Sequence, residues 1–186
     1  MSAVLLPGMP RPEAPPLRQA TEREMLDLLH QRFGFVSRNG GIPKPRYVKA
    51  EHVRAAAGFF DKGAFSARTA DFIAADTWVS GKCAIHGVEV KVSRSDWLRE
   101  LKDPGKSAAC MAWCSHWWLA VPDRRIVAGG ELPDGWGLLA AGKYAGSLRL
   151  KAIVPAPRRD VPQIPPGSLA SLLYAVAKTA AARGTA

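Results

Sequence analysis

Glu89 and Lys91 form the clearest pair of side chains in this sequence that could act together chemically. They belong to residues 83–92, a run with several β-branched side chains after a turn-forming Ser80-Gly81-Lys82, which predicts a strand. Alternate side chains of a strand share a face, so the acid and the base point the same way. An acid and a base at this spacing also occur on ordinary solvated strands, so the pair needs a third group before it indicates a site.

Asp71 supplies that third group. It lies in a second strand candidate, which the same turn joins to the first. A hairpin centred near Gly81 brings Asp71 to the same end as Glu89, whereas Asp76 pairs near Ile85, roughly 15 Å away at about 3.3 Å per residue. Because a slip of one residue would turn these side chains to the opposite face, the placement depends on where the turn lies.

Two carboxylates that lie close together repel each other unless a cation sits between them. Asp71 and Glu89 would suit Mg²⁺, which prefers octahedral oxygen ligands, and Mn²⁺ is a possible substitute. Such an ion helps to generate hydroxide and offsets charge on a phosphate, and Lys91 would orient the attacking water or stabilise the developing anion. The pattern therefore indicates metal-assisted hydrolysis, with Asp71, Glu89 and Lys91 as catalytic residues.

The charge balance favours a polyanionic partner. The chain has 26 Lys and Arg against 16 Asp and Glu, a formal net charge of +10. A surplus of this size attracts nucleic acid through counterion release, although many basic proteins bind none. At 186 residues the chain is long enough for one domain with a proper core and too short for two comfortable ones.

The sequence also indicates a compartment. No apolar run approaches the roughly 20 residues that cross a bilayer. The first residues lack a basic region, and Pro7 interrupts their apolar run, so we expect no signal peptide. Three cysteines do not form a disulfide framework, which favours a reducing cytoplasm. The charge alone does not distinguish DNA from RNA as the partner; we expect no membrane and no small-molecule cofactor, and the oligomeric state stays open.

The order of predicted elements indicates an α/β fold, a mixed sheet flanked by helices. Residues 1–20 are expected to form a disordered proline-rich arm, residues 21–154 the main domain, and residues 155–186 a proline-rich linker with a C-terminal helix. The predicted elements are a helix after a Thr21–Glu24 capping box, an undecided strand or helix at 53–60, strands at 70–79 and 83–92, helices capped by Ser93 and by Asp103, a strand at 116–121, a hairpin at 143–154 and a helix at 168–181.

Asp71, a spacer and then Glu89-Val90-Lys91, placed between two capped helices, resembles the PD-(D/E)XK nuclease superfamily. Four stretches within residues 20–142 resemble, more narrowly, the MmcB-like family of DNA-repair proteins and its phage and prophage relatives. They are residues 68–71, 88–106, 117–122 and 131–138. The superfamily's proline before the aspartate is replaced here by Ala70.

This resemblance implies a restriction-endonuclease-like α-β-β-β-α-β core and a Mg²⁺-dependent DNA nuclease that acts in repair or recombination. It also implies a metal-site glutamate on the first helix, for which Glu22 is the candidate. A first-turn acid is also favoured simply by the helix dipole, and Glu24 is explained by capping. Two alternatives stay open: a non-cleaving DNA-binding module on the same fold, and a structural or partner-binding phage protein.

Several other residues have two interpretations. Cations near the acids in sequence could contact DNA phosphates or be ordinary solvated side chains; they are Arg68, Arg94, Arg99, Lys102 and Lys106. Cys110 and Cys114, with Cys83 and His116, could bind a metal, but their apolar surroundings favour core cysteines. Four tryptophans could stack on bases, although their spacing favours the core; they are Trp97, Trp113, Trp117 and Trp118.

Overall fold

The structure, a computed structural model, describes residues 16–37, 43–55, 69–103, 105 and 107–184. Within these ranges four helices accompany eight strands. In chain order they are α1 (Glu22–Arg32), β1 (Val36–Ser37), β2 (Lys44–Pro45), β3 (Tyr47–Arg54), β4 (Thr69–Asp76), β5 (Ile85–Val90), α2 (Arg94–Lys102), α3 (Ala108–Met111), β6 (His116–Val121), β7 (Trp136–Tyr144), β8 (Ser147–Val154) and α4 (Pro166–Arg183).

Six of the strands form one mixed sheet in the order β3-β4-β5-β6-β7-β8, and β1 pairs with β2 separately. The pairs β5–β6 and β6–β7 are parallel, while β3–β4, β4–β5 and β7–β8 are antiparallel. The succession α1-β3-β4-β5-α2-β6 has the expected α-β-β-β-α-β order. The prediction of an α/β fold with a mixed sheet flanked by helices is therefore confirmed.

The sheet buries apolar side chains on both faces. On one face Met25 and Leu29 of α1 pack with Phe72, Val88 and Trp118. The other face carries the second cluster, which α2, α3 and α4 cover; it includes Ile73, Trp97, Trp113, Trp117, Leu119 and Leu172. The four tryptophans in question are at most 8% exposed, so the core interpretation is the correct one for all of them.

Helix α1 begins as its sequence predicts. The Thr21 hydroxyl accepts a hydrogen bond from the Glu24 backbone N–H at 3.2 Å, and the Glu24 carboxylate accepts one from the Thr21 backbone N–H at 2.7 Å. This reciprocal capping box satisfies backbone donors that a helix start leaves unpaired. It also fixes the orientation of the first turn, which contains Glu22.

The C-terminal helix α4 belongs to the same core rather than lying apart from it. Its start at Pro166 suits a proline in the first turn, where a backbone N–H is not needed. Leu172 and Ala175 pack in the second apolar cluster. The Ser168 hydroxyl donates to the Ala55 carbonyl, and the Thr179 hydroxyl accepts from the Glu51 backbone N–H at 2.9 Å, so the helix is fixed along β3.

Three expectations about local structure differ from what is observed. Asp103 ends α2 instead of starting a helix, since its N–H donates to the Glu100 carbonyl and the residue before a proline disfavours helical backbone. Of the undecided segment at 53–60, residues 53 and 54 form the end of a strand that begins at Tyr47, and residues 56–68 lie outside the described ranges. Of the arm expected to be disordered, residues 1–15 lie outside those ranges, whereas Pro16 and Arg18 contact the turn at 123–125.

Among the residues that the structure describes, no helix is both long enough and apolar enough to cross a membrane.

Candidate active site

Asp71 and Glu89 stand opposite each other at one end of the β4–β5 hairpin. The antiparallel register pairs Phe72 with Val88, and both side chains lie in the apolar cluster under α1. The next residues outward, Asp71 and Glu89, therefore point to the other face of the sheet. The sequence predicted that these two acids would meet at the same end, and the structure brings them together.

The Asp71 carboxylate is oriented by the neighbouring strand. Its Oδ2 accepts a hydrogen bond from the backbone N–H of Val90 at 2.7 Å. The regular β4–β5 pairing extends only as far as Phe72 and Val88, so this side chain takes the place of a backbone partner beyond the last pair. A carboxylate fixed in this way requires no reorganisation to act as a ligand.

The register differs slightly from the one expected from the turn. Ala75, not Asp76, pairs with Ile85, and the Asp76 N–H donates to the Ala84 carbonyl. The reason is that the connection includes a short 3₁₀ helix, Val79–Gly81, which shifts the pairing along the strand. Asp76 lies outside the site, as predicted, and forms an ion pair with Arg46 at 2.6 Å.

Lys91 lies between two glutamates. Its Nζ is 2.7 Å from Glu89 Oε1 and 3.1 Å from Glu100 Oε2. All three residues are buried, with at most 7% exposure. Sequence reasoning missed Glu100, although there was a signal: it follows Trp97 by three residues on α2 and so shares the buried face of that helix.

Burial and mutual repulsion disturb the protonation of these acids. Burial, followed by the negative charge of Asp71, raises the pKa of Glu89 to about 8. Burial also raises the pKa of Asp71, although the Val90 N–H and the charge of Lys91 oppose this. Burial alone lowers the pKa of Lys91, but the carboxylates of Glu89 and Glu100 outweigh it and raise the pKa. Three acids thus share one ammonium, and the site has a deficit of positive charge.

Two buried oxygens of this group lack a hydrogen-bond partner among the described residues. They are Glu89 Oε2 and Glu100 Oε1. A buried acceptor without a partner typically destabilises a fold by about 1–3 kcal/mol, more if it is charged. A cation could satisfy such an oxygen, but Glu89 is not among the described residues whose potential ligand atoms lie within 4.8 Å of one another around Asp71.

Glu22 and His52 extend the site beyond the hairpin. Ligand atoms of Glu22, His52 and Asp71 all lie within 4.8 Å of one another, and His52 Nδ1 is 3.7 Å from Glu22 Oε1. The capped first turn of α1 positions Glu22, which was expected here. His52 comes from β3, where its flanking residues Glu51 and Val53 pair with β4 on either side of Asp71. Sequence reasoning missed His52, since the pairing of β3 could not be assigned.

The cations proposed to contact DNA divide into three groups. Arg94 is engaged by a carboxylate: its guanidinium binds Glu131 through two nitrogens and the Ile126 carbonyl at 2.8 Å. A guanidinium held in this way stabilises the fold, and a DNA contact by Arg94 stays a prediction. Arg99, whose side chain is 76% exposed, and Lys102, also exposed, project from α2. Arg68 and Lys106 lie outside the described residues.

The cysteines do not form a metal centre in the described part of the chain. No disulfide joins them in the described part of the chain, where Cys83 is exposed and Cys110 and Cys114 are buried. Burial raises the pKa of the Cys110 thiol to about 11, and Cys110 lies in the second apolar cluster. The one group of potential metal ligands in the described ranges contains no cysteine. The core interpretation therefore holds for Cys110 and Cys114, whereas Cys83 lies at the surface.

Comparison of the chain with protein-family models, with curated proteins and with solved structures gives no match.

Proposed function

We propose that this chain is a divalent-metal-dependent DNA nuclease of the PD-(D/E)XK type. The observation that carries the proposal is the convergence of Asp71, Glu89 and Lys91 at one end of the β4–β5 hairpin. The arrangement goes beyond an isolated acid–base pair on a strand. A third carboxylate from α1 and an imidazole from β3 lie beside Asp71, where metal ligands would be needed.

The residues present fit a divalent cation. Asp71, Glu22 and His52 offer ligand atoms within 4.8 Å of one another, and Glu89, which lies outside that group, would join them through its unpartnered Oε2. When bound, such an ion acidifies water and offsets negative charge on a phosphate. Mg²⁺ suits the carboxylate oxygens, and the imidazole of His52 makes Mn²⁺ a good substitute.

The other groups of the site prepare the reaction. The Val90 N–H keeps the Asp71 carboxylate in one orientation. The ammonium of Lys91, held by Glu89 and Glu100, is positioned to stabilise the negative charge that develops on a phosphodiester as water attacks. Glu100 acts as a positioning residue, since it contacts Lys91 rather than the proposed ligand set.

A nucleic acid is the proposed substrate because of charge, and DNA is preferred because of the resemblance to PD-(D/E)XK nucleases. The net charge of +10 favours a polyanion, and exposed Arg99 and Lys102 lie on α2, the helix that follows Lys91 directly. No disulfide joins the described cysteines, which is compatible with a reducing cytoplasm, where we place the protein.

The test is a cleavage assay with Mg²⁺ or Mn²⁺ on labelled duplex, nicked, branched and single-stranded DNA. We expect cutting of at least one substrate that EDTA abolishes and that Asp71→Asn reduces by a factor of about 10³ or more, in line with the loss of a central electrostatic group. The asparagine amide still offers an oxygen to the Val90 N–H, so the fold should survive. Exposed Asp134 provides a matched control, and Asp134→Asn should cut normally.

Three results would overturn the proposal. Salt-sensitive binding of DNA without cutting of any substrate would identify a non-cleaving DNA-binding module. Absence of both binding and cutting would leave a structural or partner-binding role. Cutting that persists in Asp71→Asn would mean that a contaminating nuclease or a different site is responsible.

A further inference from the structure

A cavity lined with cations lies at the same end of the strands as the proposed catalytic site. It has a volume of about 200 Å³ and lies between the segment before α1, the turn after β6 and the β7–β8 hairpin. Arg18, Arg124 and Lys151 contribute its positive charges, and Asp123 is the one acid among the described residues that line it. The residues of the proposed catalytic site do not take part in it.

Asp123 does not neutralise these cations because it is already engaged. Its carboxylate accepts from the Arg125 guanidinium at 2.6 Å and from the backbone N–H of Arg125 at 2.9 Å. The backbone N–H of Arg18 donates to it at 3.2 Å. Hydrogen bonds from Arg125 hold the pKa of Asp123 far below its usual range, so the carboxylate stays ionised and paired.

Arg18 is held in place by its main chain while its side chain remains available. The Asp123 contact fixes its backbone, and Arg125 Nη2 donates to the nearby Pro16 carbonyl at 3.1 Å. Its Nε is buried and lacks a hydrogen-bond partner among the described residues. Within those residues, moreover, no acid forms an ion pair with the side chains of Arg18, Arg124 or Lys151. A buried donor without a partner is costly, and an anion would satisfy it.

The cavity and the proposed catalytic site lie at the same end of the parallel strands. Strands β5 and β6 are parallel, Val90 pairs with Ala120, and the Lys91 N–H donates to the Ala120 carbonyl at 3.0 Å. The cavity begins at Pro122, just beyond the end of β6, and reaches β8. At a strand spacing of about 4.8 Å, two to three spacings separate it from Lys91, or roughly 10–15 Å. That is on the order of three or four base-pair rises of about 3.4 Å along the axis of a DNA duplex.

We propose that this cavity binds one backbone phosphate of the DNA strand, a few nucleotides from the bond that is cut. The inference rests on the proposed function, whose substrate it positions. Guanidinium groups suit phosphate oxygens because their N–H donors match them in geometry and charge. A contact of this kind fixes the register of the strand without reading its sequence.

The experiment measures DNA binding by the full chain in EDTA, apart from cleavage. The double variant Arg124→Gln/Lys151→Gln removes two exposed charges, and Arg18→Gln tests the buried donor separately. A charge-matched control, Lys44→Gln/Lys178→Gln, removes two exposed cations that do not line the cavity. Affinity is measured against salt, and then against duplexes in which a neutral methylphosphonate replaces one phosphate at a time.

For the double variant we expect a salt slope reduced by about one, as for one lost phosphate contact, and affinity weaker by roughly fivefold to tenfold. One methylphosphonate position should weaken binding by the wild type and the control but have no effect on the double variant. If every position affects the double variant and the wild type alike, the subsite is wrong. If inorganic phosphate binds in the cavity and no methylphosphonate position behaves in this way, the cavity binds a free anion rather than a DNA phosphate.

Failure of the subsite and failure of the nuclease proposal give different results. If the wild type cuts DNA while the double variant keeps the wild-type affinity and salt slope, the subsite is wrong and the nuclease stands. If the wild type binds DNA without cutting it and one methylphosphonate position is found, the subsite proposal holds. The nuclease proposal then fails, and the protein is a non-cleaving DNA-binding module.

Discussion

Glu100 Oε2 lies 3.1 Å from Lys91 Nζ, so the ammonium that contacts Glu89 is also held from the opposite side by helix α2. The relationship links the helix after the hairpin to the centre of the proposed site. Because Glu100 is buried beside Lys91, it both positions Lys91 and raises the pKa of that ammonium. A lysine kept charged in this way can stabilise an anion but is a poor proton acceptor.

Replacing Glu100 should therefore affect the rate and not the binding of DNA. We expect Glu100→Gln, which retains a hydrogen-bond acceptor but no charge, to reduce the single-turnover cleavage rate by about tenfold, within the range found for positioning residues. The apparent affinity for DNA should stay the same. Asp96→Asn, a change to a partly exposed acid on the same helix, is the control. Cleavage by Glu100→Gln at the wild-type rate would show that Lys91 does not need this partner.

Glu22 and Glu24 lie in the same first turn but have different predicted roles. Glu22→Gln should weaken Mn²⁺ binding by roughly tenfold, since it removes a charged ligand beside Asp71 and His52. Glu24→Gln is a close control because glutamine also completes a capping box. Calorimetric titration of both variants with Mn²⁺ distinguishes them. Equal affinities would exclude Glu22 from the metal site.

The capping box itself supports the site. Thr21→Ala removes the hydroxyl that accepts from the Glu24 N–H and should reduce the free energy of unfolding by about 1 kcal/mol. Denaturant unfolding measures this change. If Thr21→Ala weakens Mn²⁺ binding while Thr21→Ser preserves it, the cap positions Glu22. An unchanged unfolding midpoint for Thr21→Ala would contradict the structural role.

Variants at Arg94 and at Arg99 should affect different properties, the first thermal stability and the second DNA binding. Arg94→Gln breaks the contact with Glu131, a residue that also accepts from the Trp97 indole N–H, and should lower Tm without altering the salt dependence of DNA binding. Arg99→Gln/Lys102→Gln should reduce the salt dependence of DNA binding and leave Tm unchanged, because both side chains are exposed. Thermal unfolding and binding titrations measure the two effects. The account of Arg94 fails if its variant has the wild-type Tm and a reduced salt slope.

His86 should make the fold sensitive to acid. Burial, and then the charge of the stacked His116, lower the pKa of His86 to about 4 from the ordinary 6.5. Between these values only the unfolded chain binds the proton, so the free energy of unfolding falls as the pH drops from 6.5 towards 4. The loss approaches about 3 kcal/mol at about 1.36 kcal/mol per pKa unit.

Denaturant titrations between pH 7 and about pH 4.5 test this window in the wild type and in His86→Phe, a substitution that keeps an aromatic ring beside Phe33 and His116. The variant should show a flatter dependence on pH, whatever its absolute stability. Parallel curves for the two proteins would mean that other groups cause the acid sensitivity.

Local signals in the sequence were sufficient for much of the fold. The Thr21–Glu24 capping box, the turn before β5 and the apolar run of β6 each specify an element through neighbouring residues, and all three elements are present. Asp71, Glu89 and Lys91 could be identified because strand alternation and one hairpin bring them together.

The remaining site residues depend on contacts that local patterns do not encode. His52 reaches Asp71 only because β3 pairs with β4, and its own segment has no clear period. Arg94 looked available for DNA until Glu131, far along the chain, was found to bind it. The exact hairpin register depended on a 3₁₀ helix in the turn, a backbone detail that composition does not reveal.

The position of a bound Mn²⁺ tests the central claim most directly. Crystals of the protein soaked in Mn²⁺, measured near the manganese absorption edge, should give an anomalous peak at the Asp71 and Glu89 carboxylates, and the peak should be absent from Asp71→Asn crystals treated identically. A manganese site elsewhere, or an empty site beside an ordered Asp71 at saturating Mn²⁺, would contradict the account.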